Sequence, residues 1–258
     1  MKDTIKIDIN DKYFCYILGL LWGDGYLYKG RVGISMISED LEPLINIFSK
    51  IGNWKINKCH RKKYKEQLTL RISDKNMYSF LISMDFDIKS KTSPNKIVNL
   101  INENNFRYFL RGFFDADGCF YLNKNTRQCI ITSNYFQDWD FLSNFFSKKG
   151  WKYSIGRQTS KTGNRSFIRI TNKNILEFGN FIYSGDLFGI ERKYNKFIEI
   201  KKSYVKKVRV GHNKKSIYID DIKYNSISEA TLLTGINREV IRYRLKSKKF
   251  NYRYNEEV

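Results

Sequence analysis

Tyr16–Leu27 reads YILGLLWGDGYL and Tyr108–Phe120 reads YFLRGFFDADGCF. Each stretch is apolar, carries small residues four apart (Gly19 with Gly23, Gly112 with Ala116) and closes on Asp-Gly. Four residues make about one helical turn, so the small residues share a face and let two such helices approach until their backbones nearly touch. Glycine directly after Asp24 and Asp117 is a helix stop signal. If the two helices pack as a twofold pair, the two carboxylates converge at their shared base. Carboxylates held that close repel one another unless cations lie between them, and hard oxygen ligands favour Mg²⁺. A single Asp-Gly reads as an ordinary turn. Two at equivalent places read as a site.

The likeness continues beyond these stretches. Asp24 and Asp117 are 93 positions apart. Phe48-Ser49-Lys50 with Gly52 answers Phe146-Ser147-Lys148 with Gly150, and Arg71-Ile72-Ser73 answers Arg169-Ile170-Thr171, both 98 positions on. Phe86-Asp87-Ile88 answers Phe188-Gly189-Ile190 at 102. Offsets that grow in order describe a duplicated unit with small loop insertions, arranged as a pseudo-twofold pair rather than a solenoid. Each unit predicts a motif helix, a hairpin (near 26–36 or 119–132), a helix (41–51 or 138–149), a second hairpin (54–72 or 152–171) and closing helices. That order, αββαββα twice, is an α+β fold. The expected domains are 1–104, 105–204, a basic linker 205–216 and a module 217–258.

The chain has 258 residues, with 47 Lys+Arg against 26 Asp+Glu and a formal net charge of +21. This excess points to a polyanionic partner. No apolar run is long enough to span a membrane, and no secretory h-region opens the chain. Four cysteines without CxxC spacing and two histidines, His60 and His212, make a poor zinc set and leave little room for histidine-based catalysis. Scattered thiols suit a reducing compartment. Chemistry must therefore lean on carboxylates and lysines, with or without a metal.

Leu110–Gly118 (LRGFFDADG) and Ile17–Gly25 (ILGLLWGDG) resemble the nine-residue motif of the LAGLIDADG homing endonucleases. Trp22 stands where the motif has its first acid. The resemblance covers about 13–203 and implies the single-chain, two-motif form: a saddle of two hairpin sheets on double-stranded DNA, each half cutting one strand to leave a staggered break. It implies that Asp24 and Asp117, helped by the carbonyls of Gly23 and Ala116, bind two or more divalent ions, Mg²⁺ being expected. It also implies basic residues at the start of each closing helix, here Lys91 and Lys193, with Lys89 and Arg192 next in order.

DNA contacts are expected from the hairpins: Lys29, Arg31, Arg61, Lys63, Lys65 and Arg71 in one half, and Lys124, Arg127, Arg157, Lys161, Arg165 and Arg169 in the other. Arg71 and Arg169 are equivalent in the repeat. The module at 217–258 predicts two short strands (217–219 and 222–224), a helix capped by Ser226 or Ser228 and broken at Gly235, and a second helix capped by Asn237. That second helix would carry Arg238, Arg242 and Arg244 outward and Val240, Ile241 and Leu245 inward. This is a helix-turn-helix pattern. It resembles the nuclease-associated modular domains of intron-encoded endonucleases. A monomer acting on DNA is expected, in a bacterial or phage-encoded cytoplasmic setting or in an organelle, not secreted. Alternatives on the same scaffold are an intron maturase, whose partner would be intron RNA, and a non-catalytic DNA-binding regulator.

Overall fold

The computed structural model describes residues 5–59, 65–89, 91–123, 126–161, 163–171, 173–205, 216–247 and 249–255. Arg61, Lys63, Lys124 and most of the expected linker lie outside the described residues. The chain divides into two compact units, Met1–Ser203 and Tyr204–Val258. Among the described residues, no helix is long and apolar enough to cross a membrane.

The first half of the larger unit begins with α1, Lys12–Asp24, whose N-cap Asp11 accepts from the Phe14 amide. The hairpin β1 (Gly25–Tyr28) and β2 (Arg31–Ile37) follows. Its two-residue turn puts both Lys29 and Gly30 at positive φ, 47° and 72°, the primed twist that suits a tight hairpin. Sequence periodicity predicted one helix next. The structure has α2 (Ser38–Leu41), a 3₁₀ turn (Glu42–Leu44) and α3 (Ile45–Ser49). Pro43 sits in the first turn of the 3₁₀ piece, and a residue without an N–H cannot continue the α ladder. Then come β3 (Lys55–Cys59), β4 (Gln67–Ile72), α4 (Lys75–Ser83), a 3₁₀ turn at Phe86–Ile88 and α5 (Asn95–Leu100).

The second half repeats the plan: α6 (Glu103–Asp117), β5 (Gly118–Asn123), β6 (Thr126–Ser133), α7 (Asp140–Lys148), β7 (Tyr153–Ser160), β8 (Gly163–Ile170), α8 (Asn174–Ile182) and α9 (Glu191–Val205). The two antiparallel sheets have the same order, β1-β2-β4-β3 and β5-β6-β8-β7. Val32, Ile34, Leu68, Leu70, Cys129, Ile131, Ile168 and Ile170 are buried on one face of their sheets. The alternate residues therefore form the opposite, open face.

The helices α1 and α6 are the seam between the halves. A Cβ on Gly19 would overlap the Phe109 carbonyl oxygen and stand 2.7 Å from the Phe113 amide nitrogen. A Cβ on Gly112 would overlap the Tyr16 carbonyl oxygen and stand 2.9 Å from the Leu20 nitrogen. Backbone touches backbone there, and nothing can give.

The smaller unit has β9 (Ile217–Ile219), β10 (Ile222–Tyr224), α10 (Ile227–Thr234), α11 (Arg238–Lys246) and β11 (Tyr252–Tyr254). Ser226 caps α10 through the Glu229 amide, Gly235 ends it at φ 71°, and Asn237 caps α11 through the Glu239 amide. The expected hairpin is a three-stranded sheet instead, because β11 pairs with the free side of β9. Ile241 is fully buried with Ile217, Ala230 and Tyr252, whereas Val240, expected inward, is 39% exposed.

Candidate active site

Asp24 and Asp117 are the last residues of α1 and α6, and the small-residue seam brings them together. A Cβ on Gly23 would overlap that of Ala116 and stand 3.1 Å from Asp117 Oδ2. The glycines after the aspartates stay in extended backbone, with φ −76° and −90°. Their need is steric: a Cβ on Gly25 would stand 2.5 Å from the Leu21 carbonyl oxygen, and one on Gly118 would strike the Phe114 ring. Burial raises the Asp24 carboxyl above its ordinary range, against the pull of Lys89 and Lys193, although one side of Asp24 is open to solvent. Burial, then the charge of Asp24, pushes Asp117 up to about 7. Burial is the larger cause in both, and the like charge of Asp24 adds to it at Asp117.

Each motif helix ends on a lysine from its own half. Lys89 Nζ donates to the carbonyls of Trp22 (2.8 Å) and Gly23 (2.5 Å). Lys193 Nζ donates to those of Phe114 (2.9 Å) and Asp115 (2.5 Å), with Ala116 at 3.4 Å. Both sit on the negative end of a helix dipole beside the aspartates. Burial lowers the Lys89 ammonium to about 8 and lowers Lys193 as well. Lys91, expected as the partner of Lys193, is exposed, and Lys89 holds the equivalent place. Aligning Ile88 with Ile190 pairs Lys91 with Lys193. In the first half a 3₁₀ turn at Phe86–Ile88 immediately precedes Lys89, and it is Lys89, two positions before the aligned residue, that reaches the helix end. Arg192 turns away to a bidentate pair with the buried Asp40, at 2.7 and 2.6 Å.

The motif's other acid has a different task. Asp115 is fully buried, accepting from the Tyr16 hydroxyl of the other half (2.7 Å) and the Ile190 amide (3.1 Å). Trp22, its counterpart, packs edge-on against Phe86 at 5.8 Å. One half clamps its following loop with a carboxylate, the other with an indole. The buried Arg111 supports the same loop through the carbonyls of Asp186 (2.7 Å), Ser184 and Phe188 (both 3.1 Å).

Among the described residues, no three His, Cys, Asp or Glu side chains converge. The carboxylate oxygens here are those of Asp24 and Asp117, while the Gly23 and Ala116 carbonyls expected beside them accept from Lys89 (2.5 Å) and Lys193 (3.4 Å). Those carboxylates suit Mg²⁺, which commonly takes one or two carboxylates and completes its shell with water and substrate phosphate.

Register sorts the basic residues of the hairpins. Arg31, Arg71, Arg165 and Arg169 alternate with buried positions and lie on the open face. Arg127 shares parity with the buried Cys129 and Ile131, and its guanidinium caps α9 through Ser203, at 2.7 and 2.9 Å. Arg157 pairs in register with the buried Ser166 and lies 5.5 Å over the Phe136 ring. These two are on the helix side, because a one-residue change of parity turns a strand residue to the other face. Lys29 and Lys161 are exposed at hairpin turns, and exposed Lys65 pairs with Glu39 at 2.9 Å. The open face also carries Tyr26, Lys55, Gln128 and Gln158, which charge alone did not single out. Strand parity would have found them.

In the smaller unit, Arg238 is exposed and Arg242 pairs with Glu239 at 2.7 Å. Arg244 instead stacks on Phe250 (5.0 Å) and Tyr252 (5.4 Å) and bonds the Tyr252 hydroxyl, which makes it part of the packing.

Residues 105–182 match the family described as LAGLIDADG-like domain. Residues 204–254 match that described as intron-encoded endonuclease 1, DNA-binding domain. No curated protein matches the chain. Among solved structures, I-DmoI in complex with DNA and Ca is similar at TM-score 0.51 and 21% identity, covering 73% of this chain and 97% of that one. A variant of I-DmoI with target DNA nicked in the coding strand, in the presence of Mn, is similar at TM-score 0.50 and 20% identity, covering 69% and 98%. Full-length WhiA from Thermatoga maritima gives TM-score 0.49 and 17% identity, covering 78% and 62%. The likeness to I-DmoI is one of fold.

Proposed function

We propose that this chain, whose residues 105–182 match a LAGLIDADG-like domain and whose residues 204–254 match an intron-encoded endonuclease DNA-binding domain, is a site-specific homing endonuclease that makes a staggered double-strand break in DNA. The observation that carries this reading is the meeting of Asp24 and Asp117 at the base of the α1–α6 seam, each beside a lysine held on its helix end. A regulator on this fold has no use for two crowded carboxylates, whose repulsion costs stability.

Asp24, Asp117 and the carbonyls of Gly23 and Ala116 would hold divalent metal. When bound, the metal supplies activation of water and neutralisation of charge on the leaving 3′ oxygen. The chain's own residues do the rest. The open sheet faces bind and orient the duplex through Arg31, Arg71, Arg165 and Arg169. Lys89 and Lys193, fixed by backbone carbonyls, put positive charge where the phosphate gains negative charge. Each aspartate is allotted one strand. The chain acts as a monomer, since both halves of the site lie in it, and the tail adds affinity on one side of the site. Mg²⁺ is the expected ion.

The test is selection of cleaved duplexes from a random library with Mg²⁺, followed by strand-resolved cleavage by Asp24→Asn and Asp117→Asn. Loss of one strand cut or both, with binding retained, supports the reading. Full double-strand cutting by the double variant would sink it.

A further inference from the structure

We propose that Tyr26 and Phe167 are positioning residues that aim Arg71 and Arg169 at base edges, one device in each half of the saddle. The inference rests on the reading of the open sheet faces as the DNA-binding surface.

Three residues of the first sheet lie in one row across the strands. Tyr26 pairs with Gly33, and Gly33 pairs with Arg71. Gly33 has no side chain, so the Tyr26 ring lies over it; a Cβ there would stand 2.5 Å from the ring Cζ and 2.7 Å from the hydroxyl. The ring thereby bridges the row, and its hydroxyl accepts from Arg71 Nε at 2.9 Å. With Nε engaged, the plane of the exposed guanidinium is held at its inner edge, which leaves its two terminal nitrogens to donate elsewhere. Among the described residues, those nitrogens have no partner. A paired set of N–H groups on a fixed plane matches the O6 and N7 acceptors of guanine in the major groove. Fixing the side chain beforehand reduces the rotamer freedom lost on binding.

The second sheet reaches the same end with other parts. Gly156 pairs with Phe167, whose ring lies over it, one ring carbon 2.7 Å from where a Cβ would be. The Arg169 guanidinium lies 4.9 Å from the Phe167 ring centre, and its Nε is buried without a partner. Stacking replaces the hydroxyl, and cation–π attraction holds the plane. The glycine and the aromatic come from different strands in the two halves (β2 and β1, then β7 and β8), yet the arginine held is the equivalent one. A ring that only filled a gap beside glycine would need no arginine at its edge or face.

The experiment is selection of bound duplexes from a randomised library by the intact chain without divalent ion, comparing the parent with Arg71→Ala, Tyr26→Phe, Arg169→Ala and Phe167→Leu. Tyr26→Phe keeps the ring over Gly33 and removes only the hydroxyl. It should weaken base preference about 3- to 10-fold, the value of one hydrogen bond, at the positions that Arg71→Ala erases and nowhere else, with the thermal midpoint unchanged. Phe167→Leu should do the same for the Arg169 positions, on the other side of the site centre. Gly33→Ala, which displaces the Tyr26 ring, should copy Tyr26→Phe. Intact preferences in Tyr26→Phe and Phe167→Leu overturn the proposal. So does an absence of any change in Arg71→Ala and Arg169→Ala, and if double-strand cutting persists in that case the nuclease reading stands. A parent that prefers no sequence and cuts no duplex takes both readings down.

Discussion

The Nζ of Lys89 donates to the carbonyl oxygen of Gly23 at 2.5 Å, beside the Asp24 carboxylate. Lys193 repeats the arrangement at the end of α6. Lys89→Met and Lys193→Met should each lower strand cleavage about 100-fold, the usual order for losing one fixed positive or hydrogen-bonding group at a reacting oxygen. Exposed Lys91→Met should stay within about twofold, since a solvated lysine contributes little. Strand-resolved cleavage rates with Mg²⁺ check both, and a larger loss at Lys91 would reverse the assignment.

Burial and Asp24 push the Asp117 carboxyl up to about 7. A raised folded-state value means tighter proton binding in the folded chain. That contribution to stability is complete below the unfolded value, about 3.9, and is lost as pH rises through about 7. Without divalent ion, Asp117→Asn should therefore be more stable than the parent at pH 8, by at most roughly 4 kcal/mol, and the advantage should vanish by pH 4. Calorimetry across that range decides it. Equal melting at pH 8 would mean that the cleft does not crowd its carboxylates.

Gly112 touches the Tyr16 carbonyl across the seam, as Gly19 touches that of Phe109. Alanine at either position must push two backbones apart. The expected cost is ~3 kcal/mol or more, above ordinary overpacking, because no flexible side chain can yield. Denaturant midpoints measure it. A change under about 0.5 kcal/mol would show that the seam is looser than the contact distances say.

Arg192 crosses from the second half to the buried Asp40 of the first, where Asp40 is 4% exposed. Arg192→Met leaves that carboxylate unpaired and should destabilise by ~3 kcal/mol, whereas the double variant Asp40→Asn with Arg192→Met should cost less than the sum of the two single changes. A double-mutant cycle by chemical denaturation tests this. Additive losses would argue against coupling.

Removing the chain after Tyr204 should leave a protein that still cuts its site at high concentration, with a footprint shortened on one side. Affinity should fall by ~2–4 kcal/mol, the worth of a few base contacts. Within the tail, Arg238→Ala should weaken binding, while Arg244→Ala should lower the melting temperature, because Arg244 is stacked on Phe250 and Tyr252. An unchanged footprint would make the tail a structural buttress.

The duplication, the element order, the helix ends at Asp24 and Asp117, and the caps at Ser226 and Asn237 were all legible in the linear chain. These are local properties: periodicity, capping and glycine placement act within a few residues. Pro43 lies inside the helix expected over 41–51, and its missing N–H puts a 3₁₀ turn there. β11 was not legible, since its three residues gain their pairing only when β9 offers its second edge.

The choice among similar charges belonged to the tertiary structure. Lys89 and Lys91 are two residues apart, and only the folded chain shows that Lys89 reaches Gly23 while Lys91 stays exposed. Arg71 and Arg127 are both strand arginines, but parity turns one to the open face and the other to the Ser203 helix end. Asp115 and Asp117 share a motif, yet one is sealed beside Tyr16 and the other faces its twin. Local sequence determined which elements form and where they stop. Register and long-range packing, which bring together residues many tens of positions apart, determined which of their side chains can act.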